Sequence, residues 1–361
     1  YENACVNRTL AAGQLSTTVY SSLSNPHYRK FQEDISLPRA TRNRLSLAEQ
    51  HDPLFLRFMG VKYTAGVDGI RGNNKAAPVF YVTDGAASPG EFKKLSWQQK
   101  QIALCEYAFA PGGKGFVRIP LSEISAEFSG TDGNAVNAKI PAKGTLRLSR
   151  PVREGETLFV SFRVKNRDSD RDAAINIGGV RNMQSCRRKN GKRYGYHNGN
   201  NVFHYTINAK AGTSELPVIF ESGDLEIGDI SVTSGSVDED MSASLYSSPA
   251  AMKELRSGNG FEGTVKSGGK RLITSLPYDE GFRVTADGRE VKTEIVNDGF
   301  LGAKIPDETS HIRIEYRAPG SAAGAAASAI VLIAGIVYAA ARRKIICRPR
   351  ARAFENGLKR G

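Results

Sequence analysis

Ile273 to Val291 reads ITSLPYDEGFRVTADGREV. Apolar and polar residues alternate on either side of a Pro-led corner, as they do in half-buried strands. Asp287-Gly288 supplies the positive φ that a two-residue hairpin turn needs, and Gly281 allows the bend after Tyr278-Asp279-Glu280. The stretch therefore predicts a β module. A short way downstream the composition changes: Ser321 to Ala341, SAAGAAASAIVLIAGIVYAAA, carries no charged residue. At about 1.5 Å per residue, a helix of this length reaches across the roughly 30 Å hydrocarbon core of a bilayer.

A buried Ala-rich core helix is the competing reading of that segment. The sequence after it, RRKIICRPRARAF, places Arg342, Arg343, Lys344, Arg348, Arg350 and Arg352 at its end. Such a cluster marks a cytoplasmic flank. The expectation is one span, residues before Gly320 outside the cell, a basic tail inside, and Tyr338 as an interfacial anchor. The lipid bilayer is then the first partner. The formal net charge is +13, and about half of that excess sits in the tail, where its neighbours are anionic headgroups rather than nucleic acid. The chain opens on Tyr1 without Met or a signal-like core, which suggests a processed or truncated product.

Three of the four cysteines, Cys5, Cys105 and Cys186, fall before the span, and Cys347 falls after it. One bridge among the first three is open, although an odd count argues against a disulfide framework. Cys347 is either lipidated or, the plainer reading, an unmodified thiol.

Along the chain, residues 1–110 give mixed α/β signals. LSLAEQHDPLFLRFMGVKYTAG suggests a helix followed by a buried strand around Met59 to Thr64, and PVFYVTDG suggests a strand ending in a turn. Residues 111–236 turn to β: TLRLSRPV, TLFVSFRVKNR, DAAINIGGV, NVFHYTINA, LPVIFESGD and EIGDISVTSG alternate between turn signals, indicating a sandwich or jelly roll. Residues 237–259 read as an acidic, helix-prone connector, 260–318 as a small β module ending in HIRIEYRAPG, 320–341 as the span, and 342–361 as the tail. The predicted class is mainly β, with a mixed α/β N-terminal part and one C-terminal transmembrane helix.

The order of landmarks YSSLSNPHYRKF, FLRFMGVKYTAG, LITSLPYDEGFRVTADGREV, HIRIEYRAPG and a terminal span resembles the YfhO family of bacterial membrane proteins. The matching residues are Gly60-Val61-Lys62-Tyr63, Pro277-Tyr278 with Gly281-Phe282, and Asp287-Gly288. Phe282 stands where that family usually has Trp. The resemblance implies a polytopic protein with the architecture of a C-type glycosyltransferase, which moves a sugar from a polyprenyl-phosphate carrier onto a cell-surface polymer. The catalytic acids of such proteins lie in early extracytoplasmic loops, so none carries over to this chain, which by itself is not expected to be an enzyme. A stand-alone, membrane-anchored glycan-binding or structural surface protein is the alternative.

The most distinctive loop is Cys186 to Tyr205, CRRKNGKRYGYHNGNNVFHY. Arg187, Arg188, Lys189, Lys192 and Arg193 precede Tyr194 and Tyr196. Cations beside aromatics can grip a phosphate while a ring stacks on a sugar. A polyprenyl-phosphate-linked sugar or an anionic cell-wall polymer suits a site outside the cell; nucleic acid does not. A solvated hairpin with Asn-Gly turns at Asn190-Gly191 and Asn198-Gly199 explains the same residues. Asp168-Ser169-Asp170 matches the short DxD pattern that holds a metal, but mixed charges between two strands also describe an exposed turn. Ala173 and Gly179 exclude an EF-hand loop. PGGKGF, from Pro111, lacks P-loop spacing. The five His residues are scattered, so no catalytic residue, metal or other cofactor is assigned.

Overall fold

In a computed structural model of the protein, residues 25–36, 52–66, 69–115, 117–130, 135–138, 141–265 and 270–346 are described. The chain divides into two units, Tyr1–Glu315 and Tyr316–Gly361. The opening stretch folds as three strands, Arg271–Pro277, Phe282–Ala286 and Arg289–Val291. The last two form the expected hairpin. Ala286 pairs with Arg289, and Asp287 and Gly288 take φ of 46° and 79°, the two positive values of a type I′ turn. The Asp287 carboxylate accepts hydrogen bonds from the Ser310 and His311 amides, which ties the turn to the strand His311–Tyr316. Arg271–Pro277 does not pair with Phe282–Ala286. It belongs to a different sheet, so the Pro277 corner carries the chain from one sheet to another.

One of these sheets is five-stranded, ordered Ala251–Glu254, Gly260–Thr264, His311–Tyr316, Phe282–Ala286, Arg289–Val291. The other is four-stranded, ordered Thr293–Val296, Phe300–Lys304, Arg271–Pro277, Phe80–Thr83. The register Thr274 opposite Phe80 and Leu272 opposite Val82 joins a strand from the first part of the chain to one near its end. Side chains alternate across a strand, and here both faces are buried. Phe80, Val82, Leu272 and Leu301 meet Val284, Ile312 and Ile314 of the five-stranded sheet. Tyr81, Ile273 and Phe300 enter a second core built from the N-terminal helices.

That second core is aromatic. The helix Pro26–Asp34 is capped by the Asn25 side chain, which accepts from Tyr28 N at 2.9 Å and donates to Tyr278 O at 2.7 Å. One residue thus starts the helix and fastens it to the Pro277-Tyr278 corner. Phe31 lies 4.6 Å from the Phe300 ring, and Phe58, from the helix Pro53–Phe58, lies 5.3 Å from it. Gly60 follows that helix at φ 72°. A Cβ there would sit 2.7 Å from Ala77 O, so both conformation and space require glycine. The helix Trp97–Glu106 opens with a capping box at Ser96 and Gln99. Its Gln101 donates to Ile35 O at 3.0 Å and accepts from Thr206 at 2.9 Å, linking it to both the first helix and the central β region.

The central β region is two facing layers that share one strand, Glu215–Ser236. Its first part pairs with Ala142–Leu148 and Ala173–Ile177; its second part pairs with Ala135–Ala138 and Glu156–Asn166. The sequence reads two strands here, LPVIFESGD and EIGDISVTSG, with a turn between them. The chain instead remains extended and absorbs its extra residues as bulges between Phe220 and Ser222 and between Gly228 and Ser231, bending from one layer into the other. Leu146, Phe162, Ile175, Phe203, Tyr205 and Phe220 fill the space between the layers. The sandwich-like, mainly β class holds.

Two readings need correction. Tyr63–Gly66 is not a buried strand: among the described residues it pairs only with Gly69–Gly72, and Tyr63 is 71% exposed. Within the helix-prone stretch 237–259 the helix covers only Glu239–Leu245, and Ala251–Glu254 is a strand. Ser321–Ile346 forms one helix, and Ser321–Arg342 is long and apolar enough to cross a membrane. Its side chains through Arg342 are all exposed, unlike those of a buried core helix. Cys105 and Cys186 are free thiols; Cys5 and Cys347 lie outside the described residues.

Phe300→Ala should cost about 3–5 kcal/mol, because it empties a fully buried ring site. A lower urea midpoint with unchanged slope is the expected result.

Candidate functional site

The basic-aromatic segment stands on a polar base. Ser185 N donates to Asn198 Oδ1, Asn198 N donates to Ser185 Oγ, and Ser185 Oγ donates to Tyr196 O. Asn200 Nδ2 donates to Asn182 Oδ1 at 2.8 Å beneath them. From this base rises a hairpin of two short strands, Arg188–Lys189 and Lys192–Arg193. Asn190 and Gly191 take φ of 51° and 73°, so the Asn-Gly turn is type I′, like the one at Asp287-Gly288.

This turn sets the register and, with it, the charge arrangement. Arg188 stands directly opposite Arg193, and Lys189 opposite Lys192. Like charges in directly opposed positions repel. The pleat also puts the two pairs on opposite faces. Lys189 Nζ lies 5.3 Å over the Tyr194 ring, and Tyr194 meets Tyr196 edge-on at 5.5 Å. Arg187, Arg188, Lys189, Lys192 and Arg193 are all exposed. Of the seven residues singled out in the sequence, Lys189 and Tyr194 share a cleft of about 330 Å³. Arg188 and Arg193 are turned away from it.

The opposite wall of the cleft comes from the other charged loop noted in the sequence. Ser169 O accepts from both the Arg187 and Arg188 amides at 2.9 Å, so the two loops lie side by side. Asp170, Arg171 and Asp172 line the cleft with Cys186 and Ser222. Asp168 is spent on the turn: its Oδ1 accepts from Asp170 N at 2.9 Å. Asp172 Oδ1 accepts from Cys186 N at 2.7 Å. Burial first, and then the neighbouring Asp172 carboxylate, push the Cys186 thiol up, which leaves it protonated and a poor nucleophile at neutral pH. Among the described residues no group of three or more His, Cys, Asp or Glu side chains is placed to hold a metal. The cleft can pair an anion with Lys189, accept sugar hydroxyls at Asp170 and Asp172, and stack a ring on Tyr194.

A family model described as "Bacterial membrane protein YfhO" matches residues 2–328. No curated protein matches the sequence. Among solved structures, the C-terminal CBM6 of LamC from Zobellia galactanivorans aligns over 32% of this chain and 91% of its own length, at 13% identity and a TM-score of 0.19. Arabinofuranosyltransferase AftD from Mycobacteria aligns over 70% of this chain but 28% of its own, at 8% identity and a TM-score of 0.18. A ruminal GH26 endo-beta-1,4-mannanase aligns over 35% and 25%, at 16% identity and a TM-score of 0.16.

Replacing one member of a like-charge pair should steady the hairpin. Lys192→Glu is expected to slow amide hydrogen exchange at Lys189 in low salt, and the difference should vanish near 1 M salt, where screening is nearly complete.

Proposed function

Because the chain belongs to the YfhO family of bacterial membrane proteins, we propose that it is the extracytoplasmic C-terminal portion of a polytopic enzyme that transfers sugar from a polyprenyl-phosphate carrier to a cell-surface polymer. The family match is the observation that carries the reading. In it, the catalytic acids belong to early loops outside this chain, and the folded unit serves as an accessory to the transfer. The sidedness follows from the cations after the apolar helix, Arg342, Arg343 and Lys344 first among them, which favour the cytoplasmic face.

Within that reading the basic-aromatic hairpin, with Arg187, Arg188, Lys189, Lys192, Arg193, Tyr194 and Tyr196, holds an anionic ligand: the phosphate of the carrier or an anionic wall polymer. Its support is the register that sets Arg188 against Arg193 and Lys189 against Lys192. An anion bound there relieves a repulsion the fold otherwise carries. Each such contact at an exposed position is weak, on the order of 1 kcal/mol, and screened by salt. A second reading, a membrane-anchored glycan-binding protein, is favoured by Asp170 and Asp172 facing Tyr194 across the cleft; carboxylates and a ring face suit a neutral sugar.

Two measurements test this. In intact cells, a membrane-impermeant maleimide should label Lys210→Cys and leave Cys347 unlabelled; the reverse pattern overturns the topology. Full-length protein in detergent should bind polyprenyl phosphate or teichoic-acid fragments more weakly at high salt than at low salt. Changing the five hairpin cations to Gln should abolish that binding, and unchanged affinity overturns the anion reading. Salt-insensitive binding of neutral oligosaccharide would favour the second reading.

A further inference from the structure

A larger groove lies away from the hairpin, where the segment Asp84–Ala87 and the end of the helix Trp97–Glu106 face the helix Glu239–Leu245. Its volume is about 670 Å³, within the range of small-molecule sites. Glu106 lines it and is 7% exposed. Glu106 Oε1 accepts from Asp238 N at 2.7 Å. Among the described residues Oε2 takes no hydrogen bond and is not one of the buried side-chain atoms left without a partner, so this largely buried carboxylate keeps one oxygen open to the groove, where a ligand can donate to it.

The charges around it select the missing partner. Asp84 and Asp240 line the groove as exposed carboxylates, against one cation, Lys114. Glu239 is already engaged: Arg57 holds it at 3.0 and 2.6 Å, and Lys75 at 2.8 Å. Asp238 is spent capping its helix through the Asp240 and Met241 amides. Tyr107, whose hydroxyl meets Met241 Sδ at 3.5 Å, supplies an apolar wall together with Val82 and Leu245. We propose that this groove binds a small ligand carrying a protonated amine on a partly apolar body, with the ammonium donating to Glu106 and Asp84 and Asp240 surrounding it. The same carboxylates disfavour an anion.

Burial pushes Glu106 up to about 7, its backbone bond from Asp238 opposes this, the Asp238 and Glu239 carboxylates raise it further, and Arg57 lowers it. The adjacent Cys105 thiol, at about 12, and the Tyr107 hydroxyl, also raised, stay neutral throughout. An ammonium ligand needs the ionised form of Glu106, so affinity rises as pH passes 7.

The test uses full-length protein in detergent, with benzylamine as probe and benzyl alcohol as its uncharged counterpart. Benzylamine should bind at least tenfold more tightly at pH 8, and its affinity should fall by roughly thirtyfold at pH 5.5, where only a few per cent of Glu106 is ionised. Glu106→Gln keeps an acceptor for the Asp238 amide and should erase both the amine preference and the pH dependence. Because a raised carboxyl loses stability as pH rises from its unfolded value toward 7, this variant should also melt no lower than the parent at pH 8. Asp240→Asn, on the exposed rim, should weaken benzylamine severalfold. Equal binding of the two probes, binding of neither, or an amine preference that survives Glu106→Gln overturns the proposal. The hairpin variant lacking its five cations should bind benzylamine normally, so failure of this site and failure of the anion site are separately visible.

Discussion

The pairing of Phe80–Thr83 with Arg271–Pro277 is the constraint on which the rest of the folded unit depends. It fixes a four-stranded sheet buried on both faces, with the aromatic core of the N-terminal helices on one side and the five-stranded sheet on the other. Where the sheet is buried on both faces its strands have no polar face to give up and carry short continuous apolar runs, while the edge strand Thr293–Val296 stays partly exposed. FYV at Phe80 and LI at Leu272 meet that requirement. Once the pairing is made, Asn25 and Phe31 reach Tyr278 and Phe300, and the two ends of the unit are fastened to each other. The segment leaving Thr83 also becomes a wall of the acidic groove.

Three charged places in the fold are solved differently. Arg57 is 7% exposed, and its two terminal nitrogens are held by Glu239 and Ser242 while its buried Nε has no partner. This arrangement repays the desolvation of its guanidinium only because the geometry is bidentate. The carboxyl of Glu106 is buried to a similar degree yet has one partner, and its proton affinity rises accordingly. The hairpin cations are exposed and opposed in like pairs, so water and salt tolerate what a buried site would not. The bidentate pair joins the N-terminal helices to the helix Glu239–Leu245, whereas Glu106 and Lys189 each line a solvent-accessible cavity.

Much of this was legible in the sequence wherever the governing physics is local. Asp287-Gly288 and Asn190-Gly191 name their turns because positive φ at two successive residues is a property of those residues alone. The apolar helix is set by length and composition, and the order of short landmarks suffices for the family. Locality also misled. Gly223-Asp224 carries the signature of a turn, but the partners on either side of Glu215–Ser236 hold the strand extended, with bulges after Phe220 and after Gly228. Tyr63 lies in the stretch that reads as a buried strand, yet among the described residues its strand finds no partner beyond Gly69–Gly72.

The sequence by itself determined the β-rich class, the apolar terminal helix, the hairpin turns and the family, because each rests on neighbours along the chain. Only the tertiary structure decided that Lys189 and Tyr194 share a cleft with Asp170 and Asp172, that Arg188 and Arg193 face away from it, and that Glu106 lies at the edge of an acidic groove. Nothing in QIALCEYAF marks its glutamate as buried. That follows from Asp238, far along the chain, donating its amide to the carboxylate. Desolvation and charge pairing depend on which atoms surround a group, and those atoms are brought there by strand register rather than by sequence distance.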